Sequence, residues 1–481
     1  MNTYYNIGNN IEADPTGVRV LGAARECWNS AADFRERRRR FKRFTYGDQW
    51  SDLTKATDGR IVTEGELAAE TGKKPLSNNL IRRLVKCIVG RFRDMVAEQS
   101  APGVDPAACA DAADLEELDS RLLEEFLISG CAVQRVGSAR RGGRSAAVDN
   151  VSPERFFINA ISDPRGNDTR IVGMLHDYSP AELAMLFADG DYRRSDALRT
   201  LYRGMEQHDD SFGRLGSDGS PVSFLQAPDG RCRVIEAWTL EAVETFRLHD
   251  PLTATLRETG RSEVAAAEQE NQRRAEKGLP PVNIAWDMST RWVGRWLAPD
   301  GTTLRRVTAP AGRSHPFAVK LYPLTDGEVH SLVEDVIDQQ IYVNRLITLI
   351  DHVINVSAKG VLLFPAQQKM KNMDWTEIGR IWATPGSVLP LNSGLAHLMP
   401  QQVSGNAGDC GARELLALQL KMFEDVSGVT NALMGKSSSS GTVGAERFEA
   451  EVRNATVAIG DMMRTFLHFR TMRDRLLDAW L

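Results

Sequence analysis

Residues 327–357 read GEVHSLVEDVIDQQIYVNRLITLIDHVINVS. After the opening glycine this stretch holds no proline and no further glycine, so nothing in it stops a helix. Val329, Val333, Val336, Ile337, Ile341, Ile347, Ile350 and Ile354 recur at helical steps and form an apolar stripe. A continuous helix over this span would run about 45 Å at 1.5 Å per residue. The opposite face carries Glu334, Asp335 and Asp338.

The chain changes character on both sides of this helix. Downstream, KGVLLFPAQQKMKNMDWTEIGRIWATPGSVLPLNSGL is a compact mixed segment with β character, rich in Pro and Trp. A second helix is predicted from Leu415, Leu416, Phe423 and Val426 at three-, four- and seven-residue steps, with Glu424 and Asp425 near its end. GVTNALMGKSSSSGTVGA (428–445) follows as a polar loop of glycine and serine. AERFEAEVRNATVAIGDMMRTFLHFRTMRDRLLDAWL then reads as a long helix to Leu481, with Phe448, Val452, Ile459, Met463, Phe466 and Leu477 on its apolar side. A lone chain gains little from a long helix that hands off to a small knob and returns. A ring of copies gains more, because one face lines a channel while the other packs side to side.

Upstream lies an α/β body. Residues 19–44 are helical and end in the basic cluster RERRRRFKRF, read as a solvated face or an ion-pair surface against a neighbouring subunit. LSNNLIRRLVKCIVGRFRDMV places Leu80, Leu84, Ile88 and Phe92 at helical spacing, with Ser77 or Asn78 as the N-cap. DLEELDSRLLEEFLISG is a helix stopped by Gly130, and CAVQRVG alternates like a strand. SPAELAMLF starts a helix capped by Ser179 with Pro180 in the first turn. CRVIEAWTLEAVETFRL reads as strands, SEVAAAEQENQRRAEKG as a polar helix with few core residues, and RWVGRWLAPDGTTLRR as a hairpin with an Asp-Gly turn. The fold class is therefore α+β and mostly helical.

Composition and motifs narrow the chemistry. The 481 residues carry 59 Lys plus Arg against 64 Asp plus Glu, a net charge of −5, which argues against a nucleic-acid coat protein. The six cysteines are scattered, with no C-x-x-C, and fit free thiols in a reducing compartment. No run of eighteen apolar residues marks a membrane span. Gly435-Lys436-Ser437 resembles the end of a phosphate-binding loop, but Thr430 stands where the first glycine is required, and a helix rather than a strand precedes it. No H-E-x-x-H, nucleophile elbow or dinucleotide fingerprint occurs. The reading calls for no enzyme activity, no metal and no cofactor.

The ordered motifs resemble the portal, or head–tail connector, proteins of tailed double-stranded DNA bacteriophages and prophages. FKRFTYGDQW followed by LSNNLIRRLVKCIVGRFR is similar to the family's early helices around a G-x-Q-W turn and an Asn-led helix. FLISGCAVQRV and VSPERFFINAISDPRGNDTRIVGMLHDYSPAEL resemble its wing strands and S-P-x-E-L helix. HPFAVKLYPLTDGEVHSLVEDVIDQQIYVNRLITLIDHV, with Asp338-Gln339-Gln340 and Asn344-Arg345, resembles the first stem helix.

The resemblance implies a wing over 1–326, a first stem helix over 327–357, an α/β clip over 358–411, a second stem helix over 412–430, a tunnel loop over 431–445 and a long wing helix over 446–481, with the crown absent or very short. It implies a homo-dodecameric ring at one capsid vertex of the virion, assembled in the host cytoplasm. Double-stranded DNA passes through its channel without sequence recognition. The large terminase subunit, the ATPase, docks on the clip, where Trp375 and Trp382 are docking aromatics, and head–tail connector proteins follow. Major capsid and scaffold proteins surround it. The tunnel-loop residues Gly435, Lys436, Ser437, Ser438, Ser439, Ser440, Gly441 and Thr442 would lie nearest the DNA. Glu334, Asp335, Asp338, Glu424 and Asp425 would face the channel. Two other readings stay open: another head–tail adaptor ring protein, and a nucleic-acid-processing enzyme using the basic cluster at 37–43.

Overall fold

A computed structural model of the chain describes residues 14–99, 106–137, 147–206, 222–228, 230–310, 312–359, 361–370, 373–383, 388, 390, 400–403, 411–429 and 459–480. About half of the chain is helical and its sheets are antiparallel, an α+β fold. It divides into two compact units. The first gathers residues 1–39, 92–331 and 461–481, and the second gathers 40–91 and 332–460. Residues 40–91 thus group with the segment after 331 rather than with the rest of 1–326.

The helices are α1 (Pro15–Ser30), α2 (Ala32–Tyr46), α3 (Glu64–Glu70), α4 (Leu80–Gln99), α5 (Pro106–Ser129), α6 (Pro180–Phe187), α7 (Tyr192–Glu206), α8 (Arg261–Glu276), α9 (Leu332–Lys359), α10 (Trp375–Ala383), α11 (Ala412–Ser427) and α12 (Gly460–Trp480). The first unit is built on a six-stranded sheet. Its strands are β5 (Phe156–Ile158), β6 (Ile171–Tyr178), β7 (Cys232–Asp250), β8 (Thr255–Thr259), β9 (Asn283–Leu297) and β10 (Thr303–Thr308), in the order β10-β9-β7-β6-β5 with β8 also on β7. A three-stranded sheet pairs β11 (Phe317–Leu321) with β3 (Cys131–Gly137) and β3 with β4 (Ala147–Asn150).

CRVIEAW, at the start of β7, is buried on both faces, which explains its lack of alternation. Ile235 and Ala237 meet Val20, Ala24 and Trp28 of α1. Cys232 and Val234 point the other way, toward Leu183 and Phe187 of α6 and Leu198 and Tyr202 of α7. Trp238 packs edge-on to Trp296 and to Trp480 of α12, at 6.1 and 5.6 Å. A Cβ on Gly294 would fall 2.6 Å from the Trp238 ring, so this position must be glycine. The Ser179 cap read from sequence is half of a capping box at the start of α6: Ser179 accepts from the Glu182 N–H, and Glu182 reaches back to the Ser179 N–H. Gly130, at φ +70°, turns α5 directly into β3, and a Cβ there would meet the His330 carbonyl at 2.6 Å.

Two buried polar clusters bind this unit. Asp119 of α5 accepts from Arg470 Nε at 2.8 Å and Arg473 Nη1 at 2.7 Å, both on α12, and from Gln134 Nε2 of β3. Phe466 of α12 lies beside, against Phe92 and Phe126. Glu236 of β7 accepts from Arg135, from the Trp238 indole N–H at 2.9 Å, and bonds His176 at 2.7 Å. Burial alone would raise the Glu236 carboxyl, but the Arg135 guanidinium and His176 outweigh it and hold it down at about 2.

Several differences from the sequence reading have local causes. The helix predicted over 19–44 is two helices, α1 and α2, separated at Ala31. The predicted strands of 232–248 are one 19-residue strand. The helix predicted from Gly327 begins at Leu332. Gly327 lies in the turn between β12 (Pro323–Thr325) and β13 (Glu328–Val329), where its φ of +84° favours glycine. In the C-terminal segment the described helix starts at Gly460.

An unfolded glutamate takes up its proton near the ordinary 4.5, whereas folded Glu236 holds out to about 2. Its stabilisation is therefore complete above about 4.5 and is lost as pH falls toward 2. Glu236→Gln lowers unfolding free energy at pH 7 by on the order of 3 kcal/mol, because it leaves Arg135 buried against an uncharged partner. In urea titrations the gap between variant and parent closes as pH drops through that window; parallel pH profiles would contradict the assignment.

Candidate functional site

The second unit positions the long helix α9. Its exposed residues Asp335, Asp338, Tyr342, Arg345 and Leu349 alternate in steps of three and four, so they share one face. Of the sequence stripe Val333, Val336 and Ile337 are buried and Ile341, Ile347 and Ile350 half-buried; Val343, outside it, is buried too. Ile354, at the end of that stripe, is exposed.

The buried face of α9 is also polar, which apolar periodicity did not show. Gln340, Asn344 and Thr348, four residues apart, all bond the segment that leads into α4. Thr348 accepts from the Leu76 N–H, Asn344 from the Asn78 N–H, and Gln340 from the Leu80 N–H at 2.8 Å. Gln340 also donates to the Asn78 carbonyl at 2.7 Å. Asn344 donates to Gln49 at 2.6 Å, and Gln49 donates to the Phe44 carbonyl. The Trp50 indole reaches Ser77. The three motifs GDQW, LSNN and DQQIYVNR thus meet in one hydrogen-bonded knot. Its geometry also moves the cap of α4. Asn79, rather than Ser77 or Asn78, accepts from the Arg82 N–H, since its neighbours are engaged with Trp50, Gln340 and Asn344.

Helix α11 packs along α9 and buries Ala412, Phe423 and Ser427. Leu415 and Val426, grouped from sequence with Leu416 and Phe423, lie on the exposed side together with Leu418 and Met422. These four side chains, at steps of three and four, are 40 to 49 % exposed. Of the five predicted acidic residues, Asp335, Asp338 and Asp425 are exposed while Glu334 and Glu424 are half-buried. Among the described residues no group of three or more His, Cys, Asp or Glu is placed to hold a metal ion.

Between the two helices of this unit lie β14 (Val361–Leu363) and β15 (Gln401–Val403), paired antiparallel, and α10. Trp375 opens α10, half exposed, edge-on to Phe364 and under the Lys369 ammonium at 5.2 Å. Trp382 is half-buried. The tunnel-loop candidates Gly435, Lys436, Ser437, Ser438, Ser439, Ser440, Gly441 and Thr442 lie outside the described residues.

The basic run of α2 has structural partners. Arg38 is buried and pairs with Glu125 at 2.6 Å and Glu154 at 3.1 Å. Arg40 and Arg43 both bond Asp52. Arg35 is buried over the Trp28 ring. These pairings lie within the chain rather than against a neighbouring subunit, and they favour a structural role of the run over a nucleic-acid surface. No described helix is long and apolar enough to cross a membrane.

A family model described as phage P22-like portal protein matches residues 21–467. A comparison with curated proteins finds no match.

Gln340→Ala removes the bonds to the Leu80 and Ile81 N–H groups and to the Asn78 carbonyl, at a cost of about 2 to 4 kcal/mol. Asp338→Asn, on the exposed face of the same helix, stays within about 0.5 kcal/mol of the parent. Urea unfolding of the two variants checks both; equal stabilities would mean that the knot does not hold α9.

Proposed function

The chain belongs to the phage P22-like portal protein family, and from that premise we propose that its copies form a closed ring whose central channel passes double-stranded DNA. Family membership makes it a structural phage component at the capsid rather than an enzyme. The proposed ring has twelve copies at one vertex. Residues 1–326 and 446–481 form its wing, 327–357 and 412–430 its stem, 358–411 its clip and 431–445 its tunnel loop. The ring would assemble in the host cytoplasm with capsid and scaffold proteins. It would receive the large terminase subunit on the clip during packaging and head–tail connector proteins afterwards.

The observation that carries the ring is the exposed stripe of α11. Leu415, Leu418, Met422 and Val426 are 40 to 49 % exposed. Burying each against a neighbour would contribute about 1 to 3 kcal/mol, multiplied at every joint of a closed ring. The acidic side chains support the channel reading through charge. Exposed Asp335, Asp338 and Asp425 repel phosphate, so DNA does not adhere while it moves. Lys436, once per copy, supplies weak phosphate contacts without sequence preference. Trp375, half exposed beside Lys369, offers the clip an aromatic for a docking protein.

A twelve-copy ring of this 53.3 kDa chain has a mass of about 640 kDa. Light scattering and negative-stain images are expected to show a particle of that size with a central hole. Met422→Glu paired with Leu418→Glu places two charges in each joint and is expected to reduce ring formation at least about tenfold. Rings that survive the double variant unchanged would remove the stripe from the interface. Lys436→Ala is expected to lower DNA retention in filled heads with ring mass unaltered; unchanged packaging and retention would rule out the loop contact.

A further inference from the structure

The β7–β9 ribbon outruns the sheet that supports it. β6 pairs with β7 only as far as Thr239, and β10 pairs with β9 only from Val293 onward. Beyond that, β7 and β9 continue to His249 and Asn283, and among the described residues the only further strand on this ribbon is the short β8 on the far side of β7. Among the described residues nothing pairs with the outer edge of β9 from Asn283 to Arg291, or with the outer edge of β8.

The direction of the unpaired groups follows from alternation. The Trp292 carbonyl accepts from the Ala309 N–H, so the backbone of Trp292 points away from β7. Ile284, Trp286, Met288 and Thr290 then point the same way, into open space. One of their N–H groups is covered, Met288 by the Asp287 carboxylate at 2.9 Å. On β8 the same count turns Leu256 and Glu258 outward. Neither edge carries proline or lysine, two guards against pairing: residues 283–297 contain neither, nor does β8.

The two faces of the ribbon differ. One is laced by ion pairs, Arg247 with Asp287 and Arg291 with Glu258. The other presents Trp286, 61 % exposed, and Met288, 49 % exposed. Arg257 of β8 lies on this second face, opposite Leu248, one two-residue step from the level of Trp286. It is exposed and has no ion pair among the described residues.

We propose that the open edge of β9 in one copy pairs with the outer edge of β8 in the next copy, making one sheet continuous around the ring. This rests on the ring reading above. Both strands run antiparallel to β7, so they share a direction. A neighbour in a many-membered ring is turned through only a small angle, so the new pairing is parallel and each face continues into the like face. That places the neighbour's Arg257 along the exposed Trp286 face, a cation–π contact, and satisfies the outward backbone groups of both edges. Leu256 is covered in the same joint.

Paired cysteines test the joint. Arg257→Cys is combined in one chain with Ile284→Cys, Trp286→Cys or Met288→Cys. Within a chain β8 and β9 stand two strand spacings apart, about 10 Å, too far for a disulfide. Mild oxidation of the particle is expected to give a ladder of covalent multimers for at least one pair and for none of the single variants. Hydrogen exchange of the unaltered protein reads the same joint: the outward amides of 284–290 are expected to slow at least about tenfold in the particle relative to dissociated subunits. No ladder, with those amides equally fast in intact rings, overturns the edge pairing and leaves the ring standing. Absence of any multi-copy particle overturns both.

Discussion

Asp119 lies fully buried between Arg470 and Arg473, and the architecture of the first unit depends on that arrangement. A buried carboxylate without partners is costly, and here each partner comes from another element. The guanidinium groups belong to α12, and Gln134 belongs to β3 and passes the network to Asn150. The last helix is thereby fixed on a sheet and helix that precede it by more than three hundred residues (351 between Asp119 and Arg470). Aromatic packing of Phe466 against Phe92 and Phe126 supplies apolar burial beside it, but burial is non-directional. The polar cluster sets the rotation of α12 about its axis.

The second unit repeats the principle with neutral groups. Gln340, Asn344 and Thr348 have no charge to lose, yet they bond the chain ahead of α4 at three consecutive points. Such a satisfied ladder fixes the axial register of α9 against residues 76–80, because a shift of one turn would strand every donor and acceptor together. Register in turn decides which side chains α9 leaves outside. Asp335 and Asp338 face outward because Gln340 and Asn344 face inward. The acidic exposure invoked for the channel is a consequence of this buried knot.

Much of the candidate site was legible before the structure. The amphipathic pattern located α9 and α11, and the motif order placed the chain in its family. The roles of the motif residues were not legible. DQQIYVNR gave a family resemblance, and only the folded chain shows that Gln340 and Asn344 bind GDQW and LSNN. The apolar stripe of α11 was read as a single face. Only part of it is buried: Phe423 packs inward, while Leu415 and Val426, about 80° and 60° around the helix from it, lie on the exposed side.

The sequence by itself determined the local conformations. Spacing, caps and turn residues act over three or four positions, so the α6 capping box, the Gly130 stop and the Asp300-Gly301 hairpin are fixed by their own neighbours. Tertiary structure alone decided partnership: that Arg38 joins Glu125 and Glu154, that Asn79 rather than Ser77 or Asn78 caps α4, and that no described strand of the same chain pairs with the outer edge of β9 over 283–291. Those outcomes depend on which segments meet in space, and a side chain's neighbours along the chain carry no information about a hydrogen-bond partner 266 residues away.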